Sequence, residues 1–301
     1  MPRTARIKVS NGIYHVMVRS ISEIKLFKND YDKIQYLEFL KECQKFYVFK
    51  IYAFCLMNNH AHFIIDSCGS DISKVMHRVN LKYSRYYNHK YKRHGHLFQD
   101  RFKSKLINSD RYLINLSLYI HNNPKDIKKY RRFPEKYRFS SLGSYLNLKD
   151  DEFQIVDKSF INSLIAEDSY MACKRYSEKI RRYSGININE GEFKEEKSQY
   201  ISGRKIIDRN FTLDSIFKYI KNKYGFGRDM LNIKNRRETL KAKAIVVVLM
   251  RSLGNFKGSE ISEVLGNITY SRVSKLCGIG INLIISDKEY NDEIYNFLKM
   301  A

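Results

Sequence analysis

Two apolar runs joined by Asn58-Asn59 most constrain how this chain can fold. The first, Tyr47 to Met57, is rich in aromatic and branched residues; the second is His60-Ala61-His62-Phe63-Ile64-Ile65. Asparagine tolerates positive φ, so Asn58-Asn59 predicts a tight turn between two antiparallel strands. Side chains alternate along a strand, which puts His60 and His62 on one side, about 6.5–7 Å apart along it. Ala61, Phe63 and Ile65 point the other way and can anchor the strand to a core. Two imidazoles on one strand face can converge on a single metal ion.

The flanking pattern predicts an α+β domain with an antiparallel sheet. Ile13 to Val18 reads as a strand after the Asn11-Gly12 turn signal, and Asp30 to Phe46 as a helix with Tyr31, Ile34, Leu37 and Leu40 in an apolar stripe. Asp71 opens a helix to about Tyr87, with Val75, Val79 and Tyr83 inward and Lys74, Arg78, Lys82 and Arg85 on an outer face. A strand over Leu97 to Ile107 follows. Asp110 then caps a helix carrying Leu113, Leu116 and Ile120, which Pro124 stops. Residues 146–210 are polar with helical stretches, and Gly185 to Gln199 reads as a linker. From Thr212 the pattern is all-helical: Thr212–Tyr224, Asn235–Leu253, Gly258–Leu265 and Thr269–Leu276. The expected domains are 1–145, a helical or linker region 146–210, and an all-α domain 211–301.

Charge narrows the partner. The 301 residues carry 55 Lys and Arg against 32 Asp and Glu, a net charge of +23. Residues 1–150 hold 29 basic and 12 acidic side chains, and all eight histidines lie at or before His121. Such an excess favours a polyanion, nucleic acid above all. Five scattered cysteines give neither a disulfide frame nor a zinc knuckle. No apolar run is long enough to span a bilayer and no signal region follows the N-terminal charges, so a cytoplasmic protein without a membrane partner is expected.

The chemistry centres on Tyr119-Ile120-His121-Asn122-Asn123-Pro124. A phenol is a poor nucleophile at neutral pH, but it can attack a phosphodiester that a cation polarises and a site holds in line. His60 and His62 can supply two ligands. Asn123, four residues after Tyr119 and on the same helical face, can supply an amide oxygen as the third. Two imidazoles and an amide oxygen fit Mg²⁺ or Mn²⁺ with substrate completing the shell. The product would be a 5′-phosphotyrosine and a free 3′-hydroxyl. Each piece also has a structural reading: paired core histidines, a packed tyrosine, a helix stop. His121 faces away from Tyr119 and reads as structural or DNA-contacting. Arg93, His96, Arg101 and Lys103, interleaved with Phe98 and Phe102, suit phosphate neutralisation with base stacking, or a half-buried strand.

Taken together, Tyr14-His15-Val16, Met57-Asn58-Asn59-His60-Ala61-His62-Phe63, Gly95-His96-Leu97-Phe98-Gln99-Asp100-Arg101-Phe102-Lys103-Ser104 and Tyr119 to Pro124 resemble the single-tyrosine HUH transposases. The likeness is to the REP-associated tyrosine transposase branch in particular, and it covers roughly the first 145 residues. It implies a ferredoxin-like fold, metal-dependent cleavage and joining of single-stranded DNA, and recognition of hairpins by a monomer or homodimer. It carries over His60, His62 and Asn123 as metal ligands and Tyr119 as nucleophile. Residues 212–280 resemble the DNA-binding domain of the bacterial initiator DnaA, through Arg236 to Ala244 and the helix-turn-helix from Lys257 to Gly266. Thr269, Tyr270, Ser271 and Arg272 replace that family's Asp-His-Thr-Thr signature. Tyr270 and Arg272 would then face duplex DNA. The alternatives are a non-catalytic DNA-binding regulator derived from a transposase, and a replication or conjugation initiator nuclease.

Overall fold

β1 (Ile13–Arg19), α1 (Asp30–Tyr47), β2 (Lys50–Leu56), β3 (His60–Asp66), α2 (Ile72–Lys90) and β4 (Lys103–Leu106) succeed one another in βαββαβ order. The strands lie in the order β2-β3-β1-β4, each antiparallel to its neighbour. This is the expected ferredoxin-like sheet. The computed structural model describes residues 9, 11–21, 24–183, 200, 202–204, 206, 207, 209, 211–233, 239–266 and 268–300. The expected linker from Gly185 to Gln199 and the stretch from Asn235 to Glu238 lie outside the described residues.

Register sorts the side chains. Tyr14, Val16 and Val18 of β1 pair with Ile65, Phe63 and Ala61 of β3, and all six are buried. That face receives α1 and α2: Tyr36 stacks on Phe63 with centroids 6.0 Å apart and meets the Tyr83 ring edge-on at 5.1 Å. The opposite face carries His15, Met17 and His62 and is covered by α3 (Asp110–Asn122), which packs on β2 and β3.

Around the sheet, two boundaries differ from the sequence reading. Ser109, not Asp110, caps α3: its hydroxyl accepts the Tyr112 N–H at 3.2 Å, and Asp110 sits in the first turn, where a carboxylate favours the helix dipole. The strand expected over Leu97 to Ile107 is interrupted. Leu97 and Gln99 bond to Ile21 and Arg19, but exposed Asp100 and Arg101 leave the ladder before β4 begins.

The chain from Phe49 to Ile206 belongs to the same compact unit as the sheet, together with residues 1–41. It adds α4 (Leu142–Tyr145), α5 (Ser159–Ile165) and α6 (Ser169–Arg182). A buried polar chain ties α6 to α3. His121 Nδ1 lies 2.6 Å from the Tyr176 hydroxyl, and His121 Nε2 lies 2.7 Å from Ser141 Oγ. Tyr176 donates to Ser117 Oγ at 2.9 Å, and Ser117 donates to the Ile114 carbonyl at 2.7 Å. Ser141 Oγ also accepts the Phe54 N–H. Because Tyr176 spends its proton on Ser117, it accepts from His121 Nδ1–H, and Ser141 donates to Nε2. His121 is thus a structural residue, and burial pushes its imidazole down to about 3.

The second unit, residues 42–48 with 207–301, is helical: α7 (Leu213–Tyr224), α8 (Arg228–Asn232), α9 (Leu240–Ser252), α10 (Gly258–Val264), α11 (Tyr270–Ser286) and α12 (Glu293–Met300). α9 is buried along almost its whole length, as its apolar composition requires. Gly280 of α11 lies against the Ala244 carbonyl, where a Cβ would collide. Gly266, at φ 76°, turns the chain between α10 and α11. The helix expected over Thr269–Leu276 runs on to Ser286, because Gly280, Ile281 and Ile284 continue its buried face. α12 was not anticipated; its Glu293 carboxylate accepts from Tyr219 and pairs with Lys223. Among the described residues no helix is long and apolar enough to cross a membrane. All five cysteines are free thiols.

Tyr176→Phe removes the acceptor of His121 Nδ1–H and should lower the unfolding free energy by about 1–3 kcal/mol in urea titrations. Acid should act in the same direction. The unfolded chain protonates His121 near its ordinary 6.5 and the folded chain only near 3, so stability falls as pH drops through that window. His121→Asn should flatten the slope of stability against pH by about 1.4 kcal/mol per pH unit within it, checked by denaturation at pH 6 and 5.

Candidate active site

The β1–β3 register places Met17 opposite His62 and Arg19 opposite His60, so these four share the sheet face that α3 covers. The rings of His60 and His62 lie 5.0 Å apart at 78°. His62 is buried and His60 half-buried. His15 stacks on His62 at 5.2 Å and 24°, with its Nε2 3.0 Å from His62 Nδ1. Above them stands Tyr119 of α3, edge-on to His62 at 5.6 Å and to His15 at 6.4 Å. The structure therefore brings the expected nucleophile to the expected ligands.

Asn123 sits one turn on, at the C-terminal cap of α3, mostly buried. Its Nδ2 donates to the Tyr119 carbonyl at 2.9 Å, which leaves the amide oxygen as the atom suited to a cation. Pro124 lacks an N–H and α3 ends before it, as the sequence predicts; the chain passes into a 3₁₀ turn, Asn123–Asp126. The Asn58-Asn59 turn also serves the site: Asn59 Oδ1 lies 2.7 Å from His60 Nδ1.

Both buried imidazoles are held neutral. Burial, then the Lys105 cation, takes His15 down to about 3. Burial, then the neighbouring imidazoles of His15 and His60, holds His62 well below the usual histidine range. His62 Nε2 is buried with no hydrogen-bond partner among the described residues. An orphaned neutral imidazole nitrogen beside a second imidazole fits a divalent cation. Among the described residues no three His, Cys, Asp or Glu side chains gather as a metal site.

The cations divide by sheet face. Lys103, opposite Met17, and Lys105, opposite His15, lie on the histidine face with Arg19. Only Lys103 was singled out from the sequence. Arg78, Lys82 and Arg85 lie on α2, in the layer packed on the other face, so the structure does not bring them to the histidines; Lys82 sits 4.7 Å over the Phe39 ring. Arg93 leans on Tyr87 and Asn88. His96 and Arg101 line a groove of about 980 Å³ between α2 and the 95–102 segment, with Lys74, His77 and Phe98. In the helical unit, Tyr270 is exposed and Arg272 half-buried in the first turn of α11.

His15 is the site residue that sequence reasoning missed as a participant. Its signals were the strand alternation of Ile13 to Val18 and the Tyr14-His15-Val16 segment of the resemblance, neither of which gives a register against β3. The profile of the family described as Transposase IS200 like matches residues 8–123, a span reaching from β1 through Tyr119 to Asn123. No curated protein matches. Among solved structures, that of a REP-associated tyrosine transposase bound to a REP hairpin aligns with 52% of this chain and 98% of its own, at 15% identity and a TM-score of 0.41. Residues 8–123 are thus similar to the IS200-like transposase family.

Proposed function

We propose that this chain cleaves and rejoins single-stranded DNA at hairpins, with Tyr119 as the nucleophile. One observation carries the reading: the Tyr119 ring stands 5.6 Å from His62, whose buried Nε2 has no hydrogen-bond partner among the described residues. Mg²⁺ or Mn²⁺ held by His60, His62 and Asn123 would polarise the scissile phosphate. Tyr119 gives up its phenolic proton and its oxygen attacks phosphorus. The bond to the 3′-oxygen breaks, that oxygen takes a proton, and the 5′-phosphate remains on the tyrosine. Attack by another 3′-hydroxyl reverses the exchange and restores the phenol. One phosphodiester replaces another, so no external energy source is needed.

Arg19, Lys103 and Lys105 surround the site with positive charge suited to the phosphates on either side of the cleaved bond. His96 and Arg101, with Phe98, offer the groove beside α2 to unpaired nucleotides. Arg78, Lys82, Arg85 and Arg93 would meet DNA only away from the histidines. The helical unit, with Tyr270 and Arg272 at the start of α11, is read as a duplex-binding module.

Tyr119→Phe should abolish covalent adducts with a labelled single-stranded hairpin in Mn²⁺ while leaving binding unchanged in gel-shift titrations. Wild-type binding without any adduct would instead favour the non-catalytic regulator. Lys103→Ala should weaken binding and lower the slope of log affinity against log salt by roughly 0.7, the value for one lost phosphate contact on a single strand.

A further inference from the structure

Both imidazoles of the histidine pair have their Nδ1 atoms engaged, that of His62 by His15 of β1 and that of His60 by the preceding Asn59. We infer that His15 and Asn59 are positioning residues, the two hydrogen-bond acceptors that lock His62 and His60 in the Nδ1–H tautomer and so aim both Nε2 lone pairs at a shared divalent cation. The inference rests on the metal reading above and adds what selects the ligating atoms.

A neutral imidazole has one N–H and one lone pair, so fixing the first fixes the second. For His62 the neighbour is His15 Nε2, 3.0 Å from Nδ1 with the rings 24° from parallel. One of the two nitrogens carries the proton. If it belonged to His15, the unpaired buried donor would be His62 Nε2–H; if it belongs to His62, it is His15 Nδ1–H, since neither atom has a hydrogen-bond partner among the described residues. The two placements cost alike, and a cation at His62 Nε2, which needs the lone pair there, selects the second. With the proton on His62 Nδ1, the Nε2 lone pair is open to a cation. For His60 the neighbour is Asn59 Oδ1 at 2.7 Å, an oxygen that can only accept, so Nδ1 must be the donor.

Neither acceptor is loosely held. His15 is buried in the middle of β1, paired with both β3 and β4. Asn59 lies in the β2–β3 turn, whose backbone is bound from outside: Asn59 O accepts the Ser20 N–H at 3.0 Å and Asn58 O accepts the Phe27 N–H at 2.9 Å. Ligands oriented by such partners bind metal more tightly, and losing one partner typically costs about 10–100-fold in affinity.

The test is Mn²⁺ binding to the full chain without DNA, followed by the electron paramagnetic resonance of free Mn²⁺. His15→Phe and Asn59→Ala, which delete the acceptors, should each weaken binding by about 10–100-fold. His15→Gln and Asn59→Asp, which keep an acceptor oxygen, should recover most of the loss. A purely structural role would give no such recovery. Deletion variants that bind Mn²⁺ like the wild type would overturn the inference, as would acceptor-retaining variants no better than the deletions. Should His15→Phe fail to fold, the exposed Asn59 pair decides alone. A wild-type chain that binds no Mn²⁺, or a His62→Ala chain that binds it equally well, would remove the metal reading itself.

Discussion

The antiparallel register of β1 against β3 is the constraint on which the rest of the site depends. A slip of one residue would turn His60 and His62 into the core and Ala61 and Phe63 out of it. What prevents the slip is the buried half of the alternation: Tyr14, Val16 and Val18 against Ile65, Phe63 and Ala61, packed beneath Tyr36. The apolar face thereby fixes the polar one. With the strands held so, Met17 falls beside His62, His15 stacks on it, and Lys103 and Lys105 on β4 lie on the same face.

The nucleophile depends on a second set of contacts, further along the chain. Tyr119 reaches the histidines only because α3 lies on their face of the sheet. His121, two residues later, points away from the site into a buried chain that joins Ser141, Tyr176 and Ser117. Tyr176 belongs to α6, beyond the matched span of 8–123. Helices that the family profile does not cover thus help set the position of the tyrosine. Removing a partner from such a network leaves a buried donor unpaired, which is why its members are costly to change.

Much of this was legible in the residues because it rests on local pattern. Alternation gave β1 and the faces of β3, the apolar period gave α2 and α3, and the four-residue spacing placed Asn123 one turn after Tyr119. What stayed hidden depends on which segments meet. Nothing near His15 says that β1 will lie beside β3, so its contact with His62 was invisible, as was the place of Arg19 and Lys105 beside the site. Arg78, Lys82 and Arg85 do lie away from the buried stripe of α2, but only the layer order shows that this helix covers the wrong face for the histidines. In the helical unit, α11 outran its expected end because its later buried positions are glycine and isoleucine, which read weakly as helix.

The account stands on the phenol oxygen of Tyr119 becoming bonded to DNA phosphorus. Peptide mapping by mass spectrometry, on the product of wild-type protein, a single-stranded hairpin oligonucleotide and Mn²⁺, tests this directly. The account predicts one modified peptide, with a 5′-phosphoryl nucleotide mass localised to Tyr119. The same mass on another residue, such as Tyr112 of the same helix, or cleaved DNA with no protein-bound nucleotide, would contradict it.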